Sequence, residues 1–500
     1  MERFILHSLK LKEHNVFSDI VLEFYDKKDK PNLPYTTLII GTNGTGKSNL
    51  LRIIVLLFAE LNHLKKTNNR TTRVSGKFEI LYSLGNNKYR FANHDFGHEN
   101  NKSKAIITCN GENISFKNIQ LPSNIIALSN TITDKFFVDI SDYKDYYYLG
   151  VKTNNNTART STFVIRTINL LYETITEKDV YDHVGQALEF LGYEKRIVIT
   201  YYPRYKHHFF KGNLTEDMFH DFFKSFWKYT KRDKDSPPWS VNLYKKILKE
   251  EPDKLRRLTN LCNKITDHLE YETSRTKYFD VDVYNGFLNV EEIRLLPLLH
   301  SLDIVSYPHL GFYKKDLYFS LEQSSSGEYH FISGFIGLLA SLKSNSLILI
   351  DEPENSLHPN WQMKYINFLK NIFKEYVGTH FLIASHSHFM VSDLEPQSST
   401  ILALEREEGI TRGKMIPANT YGWSAEEILV NIFKVSSSRN YYLTQKLEKI
   451  FYLISQDPDN KGYEILKNEV RELKQIDLSG LTDEDPLKDI VKVIFNKVKV

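Results

Sequence analysis

The chain's 500 residues leave room for two or more domains and a large core. Lys and Arg number 65 against 62 Asp and Glu, and the resulting net charge of +3 does not by itself announce nucleic-acid binding. Two cysteines, Cys109 and Cys262, exclude a disulfide framework and point to a reducing, cytoplasmic setting. There is no run of about 18 apolar residues, and Met1-Glu2-Arg3-Phe4 does not open a signal peptide, so no membrane partner is expected.

Thr37-Leu38-Ile39-Ile40 is an apolar run, Gly41 to Ser48 read Gly-Thr-Asn-Gly-Thr-Gly-Lys-Ser, and Asn49-Leu50-Leu51-Arg52-Ile53-Ile54 is helical. Strand, GxxxxGKS, helix is the phosphate-binding loop in its required context. Around Asn43, Gly44, Thr45 and Gly46, backbone N–H groups wrap a phosphate chain. The helix N-terminus then points its partial positive charge at the same anion. Lys47 is expected on the β- and γ-phosphates and Ser48 on Mg²⁺, so ATP and Mg²⁺ are the expected ligands.

Downstream, Phe78-Glu79-Ile80-Leu81-Tyr82, Lys88-Tyr89-Arg90-Phe91 and Ala105-Ile106-Ile107-Thr108 alternate between Asn/Gly turns and predict strands. Gly97 to Lys104 and Asn154-Asn155-Asn156 read as exposed loops. From about residue 166 the spacing of Leu170, Leu171 and Ile175, and later of Leu255, Leu258, Leu261 and Ile265, is helical, without a sustained heptad. This region carries two basic runs, Tyr202 to His208 and Lys254-Leu255-Arg256-Arg257. Both suit phosphates, but neighbouring acids balance them, which favours a solvated face. Lys231 to Pro238 reads as a loop.

Ser324-Ser325-Ser326-Gly327-Glu328 opens a helix through Ile332, Phe335, Ile336 and Leu339, and such a turn is an anion-binding nest. Leu347-Ile348-Leu349-Ile350 is a buried parallel strand by its unbroken apolar run, and it ends in Asp351 and Glu352. Asp351 is placed to hold Mg²⁺, and Glu352 to act as general base toward water. Another apolar strand, Phe381-Leu382-Ile383-Ala384, ends in Ser385-His386-Ser387-His388; a histidine there can donate to a γ-phosphate. After Ile416-Pro417 the pattern is helical. Ser424-Ala425-Glu426-Glu427 caps one helix, others are expected at about 440–455 and 461–475, and Asp485-Pro486 opens the last.

In this order the motifs resemble an ABC-type ATPase head of the SMC, RecF and OLD-like branch. Gly41 to Ser48 match Walker A; Ser325, Gly327 and Glu328 match the signature; Asp351 and Glu352 match Walker B; His386 matches the switch histidine. Glu354 to His358 lie at the D-loop, and Phe4 to Leu11 with Phe17 resemble the opening hairpin. Ser324 and Ser326 depart from the usual signature, and Ser129 or Asn130 stands where a Q-loop glutamine is expected. The tail, Tyr421 to Arg439 especially, resembles that of Septu-type anti-phage ATPases (PtuA), including those found with retrons.

The resemblance implies an α/β fold: a P-loop NTPase head split by a helical insert and followed by a helical extension. Its parts fall at 1–165, the Walker A portion with a β-rich lobe; 166–310, a mainly helical insert; 311–415, signature to switch; and 416–500, an assembly or partner region. It also implies a homodimer or higher homo-oligomer closing on two ATP molecules, and slow, regulatory turnover. The implied partner is an HNH-type, PtuB-like nuclease subunit, with DNA or retron nucleic acid as a further possible ligand. No nuclease activity of the chain's own is expected, since Asp457-Pro458-Asp459 and Asp483-Glu484-Asp485 read as helix caps in turns. The alternatives are a RecF-like repair ATPase clamping DNA directly and a transporter ATPase.

Overall fold

A computed structural model describes residues 3–26, 33–68, 73–94, 105–131, 133–154, 157–158, 160–174, 178–230, 238–273, 276–283, 285–306, 308–355, 357–391, 394–395, 397–416, 427–428, 441–456, 460–476 and 486–498. The chain divides into two compact units, Met1–Tyr421 and Gly422–Val500.

The first unit is organised by a seven-stranded sheet. Its spatial order is Ile410–Ile416, Ser399–Glu407, Tyr35–Gly41, His380–Ser385, Leu347–Asp351, Ile125–Ser129 and Tyr146–Tyr148. All neighbours pair in parallel except the first two, which form an antiparallel edge. Leu347–Asp351 and His380–Ser385 are buried along their whole length, as strands covered on both faces must be. Register sets the site: Asp351 lies opposite Ala384 and Ser129, and Ser385 opposite Ile40. Strand ends from distant parts of the sequence therefore meet at one carboxyl edge, where open α/β sheets bind ligands.

A six-stranded antiparallel sheet is ordered Ser18–Glu23, Phe4–His14, Lys77–Leu84, Asn87–Ala92, Ile106–Cys109, Glu112–Asn113. The helix Lys47–Thr67 joins it to the parallel sheet through one apolar core. Phe4, Leu9 and Tyr82 from one sheet, Leu51, Ile54 and Phe58 from the helix, and Ile39, Leu349 and Leu382 from the other all belong to it. The opening hairpin and the three expected strands of this lobe are present. Most of the expected loops at 97–104, 154–156 and 231–238 lies outside the described residues.

The segment expected to be mainly helical contains Thr160–Thr174, Lys178–Phe190, Glu216–Thr230, Trp239–Glu250 and Pro252–Thr266. It also carries most of a five-stranded antiparallel sheet, ordered Glu270–Tyr271, Lys277–Asp282, Ile197–Tyr201, His309–Lys314, Leu317–Ser320. Its basic runs are largely ion-paired: Arg204 with Asp303, Lys254 with Glu251 at 2.6 Å, and Arg257 with Glu291 at 2.9 Å. The side chains of Lys206 and His207 lie outside the described residues.

The second unit has helices Tyr441–Ser455, Asn460–Lys474 and Pro486–Lys497. They close on a core of their own containing Ile450, Leu466, Val470, Leu473, Val491 and Ile494. Nearly all of the segment Tyr421 to Arg439, with the helix expected to start at Ser424, lies outside the described residues. Among the described residues, no helix is long and apolar enough to cross a membrane.

Candidate nucleotide site

The loop Gly41 to Gly46 leaves the strand Tyr35–Gly41 and enters the helix at Lys47. Gly46 has φ +97°, and a Cβ there would meet the Phe17 ring at 2.8 Å. Only glycine fits, both for the left-handed backbone and for the close approach. Gly44 also has φ +82°, but nothing lies within 4 Å of a Cβ built on it. The loop thus presents backbone to open space on one side while Phe17 braces the other. Thr45 closes the turn by donating its hydroxyl to the Thr42 carbonyl at 2.9 Å.

Lys47 is buried, and its ammonium donates to the carbonyls of Gly41 at 2.7 Å and Thr42 at 3.3 Å. It also meets the His386 ring, at 3.1 Å from Nδ1 and 2.8 Å from Nε2. His386 Nε2 in turn lies 3.2 Å from Glu352 Oε1. The His386 ring thus stands between an ammonium that only donates and a carboxylate that only accepts, with Nε2 the ring nitrogen within reach of both. Asn355 donates to the other Glu352 oxygen at 2.8 Å. Beside this chain, the Ser48 hydroxyl donates to Asp351 Oδ1 at 3.0 Å.

Electrostatics follow from this crowding. Burial drops the Lys47 ammonium to about 8, against the pull of Glu352, Glu354 and Asp351. Burial also pushes Asp351 up to about 7, with Glu352 and Asp134 adding to the rise and Ser48 and Lys47 opposing it. Glu352 moves the other way: the His386 hydrogen bond holds it below its usual range, helped by Asn355 and Lys47. Its backbone is left-handed at φ +49° while its N–H still bonds the Ala384 carbonyl at 2.9 Å. A non-glycine residue held there stores strain, and the turn splits two consecutive acids between different partners.

The donor set fits the expected ligands. An ammonium and a loop of N–H groups suit a triphosphate, and a hydroxyl beside a carboxylate suits a hard divalent cation. Five of the residues singled out from sequence, Lys47, Ser48, Asp351, Glu352 and His386, are in one hydrogen-bonded neighbourhood, with Asn43, Gly44, Thr45 and Gly46 on the loop beside them.

The signature residues are elsewhere. Ser325 caps the helix Ser326–Ser341, accepting from Glu328 N–H, while the Glu328 carboxylate accepts from Ser325 N–H at 3.1 Å and its hydroxyl at 2.8 Å. None of the hydrogen bonds described for Ser325, Gly327 or Glu328 reaches the Lys47 cluster. Of the two Q-loop candidates, Asn130 donates to the Pro353 carbonyl at 3.4 Å, and Ser129 contacts Thr131.

Sequence reasoning passed over three residues here. Arg406 donates to the Gly44 carbonyl at 3.3 Å, adding a cation beside the loop. Asp134, buried and paired with Lys152 at 2.8 Å, helps to raise Asp351. Lone charged residues carry no spacing signal that would have found them.

A family model described as an AAA ATPase domain matches residues 5–391. Septu protein PtuA of Bacillus thuringiensis is 26% identical over 121 residues, which is 24% of this chain. The aligned part spans 30% of that protein's length. Among solved structures, the Smc head domain of Pyrococcus furiosus bound to the C-terminal domain of ScpA covers 83% of this chain and 96% of its own, at 12% identity and TM-score 0.34. The SMC head domain of Thermotoga maritima covers 83% and 99%, at 11% identity and TM-score 0.36. The family match takes in the phosphate loop, the helix Ser326–Ser341, the acidic strand end and His386, and the chain accordingly belongs to the AAA ATPase domain family.

Proposed function

We propose that this chain binds and hydrolyses ATP with Mg²⁺, closes as a dimer or larger assembly around the nucleotide, and through that closure regulates a separate nuclease in anti-phage defence. The observation that carries the chemistry is the chain Lys47–His386–Glu352 beside Ser48–Asp351. Lys47 moves from its loop carbonyls onto the β- and γ-phosphates. Ser48 and Asp351 would hold Mg²⁺, which supplies charge neutralisation between the phosphates. Glu352 takes the proton of the attacking water; its lowered pKa keeps it ionised to do so. The water oxygen bonds the γ-phosphorus as the bond to the β–γ bridging oxygen breaks, and ADP leaves. His386 turns from Glu352 to donate to a γ-phosphate oxygen, a role supported by its contact with Glu352 at 3.2 Å.

Dimerisation is supported by what one subunit does not provide. Ser325 and Glu328 satisfy each other rather than reaching the Lys47 cluster. A second copy offers a γ-phosphate to that helix N-terminus, so nucleotide supplies contact energy that only the closed state collects. Hydrolysis withdraws it.

The nuclease partner rests on similarity to Septu protein PtuA. The partner is an HNH-type, PtuB-like subunit restrained while ATP holds the heads closed. A RecF-like clamp that grips DNA directly has less support, because Arg204, Lys254 and Arg257 are engaged by carboxylates. The test is the purified chain with plasmid, Mg²⁺ or Mn²⁺, with and without ATP, alone and with the nuclease co-purified from native cells. The expected result is no cleavage by the chain alone and nucleotide-dependent cleavage in the complex. Cleavage that survives purification of the chain alone, and vanishes on a substitution away from Asp351 and Glu352, would overturn the reading.

A further inference from the structure

The turn that follows the acidic strand holds a third carboxylate, Glu354, which neither the phosphate loop nor the expected metal ligands use. Its side chain is buried, only 9% exposed. One oxygen, Oε1, receives three donors from the tip of the next strand: the Ser385 hydroxyl at 2.8 Å, the His386 N–H, and the Ser387 N–H at 3.2 Å. The other oxygen, Oε2, is buried and has no hydrogen-bond partner. A ring of contacts closes behind it. The Ser387 hydroxyl donates to Gln362 Oε1 at 2.6 Å, and Gln362 Nε2 donates back to the carbonyls of Leu357 at 2.8 Å and Glu354 at 3.4 Å.

Burying a carboxylate is costly, and convergence of donors on one oxygen is the return on that cost. The return is spent on one loop. All three donors belong to the residues that carry His386, whose ring lies between Lys47 and Glu352. We propose that Glu354 is a positioning residue for hydrolysis: its Oε1 fixes the backbone of Ser385-His386-Ser387, and so sets where the His386 ring stands between Lys47 and Glu352. Its work on this loop is acceptance at one oxygen, which an amide carbonyl can also supply; its charge acts separately, on Lys47. The inference rests on the ATP-hydrolysis reading above.

Three substitutions separate the possibilities. Glu354→Gln keeps a carbonyl oxygen at Oε1. Glu354→Asp keeps the charge and withdraws the oxygen by one methylene. Glu354→Ala removes the acceptor. Misplacing a reacting group by about 1 Å costs roughly 10²-fold, so kcat should fall by about that factor in Glu354→Ala and Glu354→Asp. KM for ATP should stay within roughly threefold in both, because Lys47 and the loop are untouched, and Glu354→Gln should retain near wild-type kcat. A second readout needs no turnover. In protein labelled at histidine ¹³Cε1, the His386 signal, assigned by its loss in His386→Gln, should coincide in wild type and Glu354→Gln. It should move or broaden in Glu354→Asp and Glu354→Ala. If wild type hydrolyses no ATP, the ATPase reading fails and the spectra still decide the role of Glu354. An unmoved His386 signal in the Asp and Ala variants, or Glu354→Gln as impaired as Glu354→Ala, would overturn the proposal. If Glu354→Ala does not fold, Glu354→Asp against Glu354→Gln carries the same decision.

Discussion

His380 shows how much one buried residue can fix. Its Nδ1 accepts the Leu6 N–H at 3.1 Å, so its proton lies on Nε2, 2.9 Å from the Thr37 hydroxyl. That hydroxyl must then accept, and it spends its own proton on the Phe24 carbonyl at 2.5 Å. Burial, with Arg3 and His7 adding to it, holds His380 well below 6.5. The folded ring is therefore neutral where the unfolded one takes a proton. Below pH 6.5 the unfolded state binds more protons at this position, so its contribution to stability falls as pH falls, by up to about 1.4 kcal/mol per pH unit. Asp351 and Glu354, raised by burial, act in the opposite direction. The clean comparison is differential. His380→Gln should destabilise the fold at pH 7.5 by about 1–3 kcal/mol for the disrupted buried hydrogen bonds. The gap to wild type should narrow at pH 5.5. Urea unfolding at the two pH values measures it, and a gap that widens on acidification would contradict the assignment.

Legibility at this scale divides by distance along the chain. Lys47 and Ser48 were readable because phosphate chemistry imposes a local spacing, and Asp351, Glu352 and His386 because each ends an apolar run. Glu354 was readable only as a D-loop position, and no role could be read for Gln362 or Asp134. Their partners lie on other elements, and nothing in a lone carboxylate or amide announces which strand tip it will face.

Elements were legible where one periodicity held for long enough. The helix Lys47–Thr67 and the strands Leu347–Asp351 and His380–Ser385 follow from unbroken patterns. The sheet in the insert was missed for a physical reason. Ile197–Tyr201 is five residues long and buried throughout, so it shows neither alternation nor helical spacing. Its partners Lys277–Asp282 and His309–Lys314 come much later in the chain. The signature helix supports a prediction at this scale. Its cap by Ser325 and Glu328 is a local structure, and the proposed composite site makes it functional in trans. Ser325→Arg should lose most ATPase activity, and so should Lys47→Ala. Mixing the two proteins should restore at most one intact site per heterodimer, seen as partial recovery of phosphate release. Full activity in Ser325→Arg alone, in every assembly state, would remove the composite site.

The whole molecule has two compact units, and the assembly role proposed for the second can be tested. Its three described helices bury a core of their own yet leave Tyr452 64% exposed and Val493 62% exposed, with Phe451, Ile465 and Ile490 also on the surface. Apolar surface of this kind marks interfaces when it is contiguous. Truncation near Gly422 should therefore leave nucleotide affinity intact while changing the mass in light scattering or the capture of the nuclease. If neither changes, the tail is not an assembly surface.

The central claim is that Lys47, Glu352 and their neighbours form a working ATPase centre. Nucleotide binding and phosphate release, measured together in purified wild type, Lys47→Ala and Glu352→Gln, test it most directly. Wild type should bind and turn over ATP, and Lys47→Ala should lose binding because its ammonium has no substitute on the phosphates. Glu352→Gln should bind ATP but turn it over roughly 10²–10⁴-fold more slowly, the loss expected for a general base. Near wild-type turnover in Glu352→Gln, or undiminished binding in Lys47→Ala, would contradict the account.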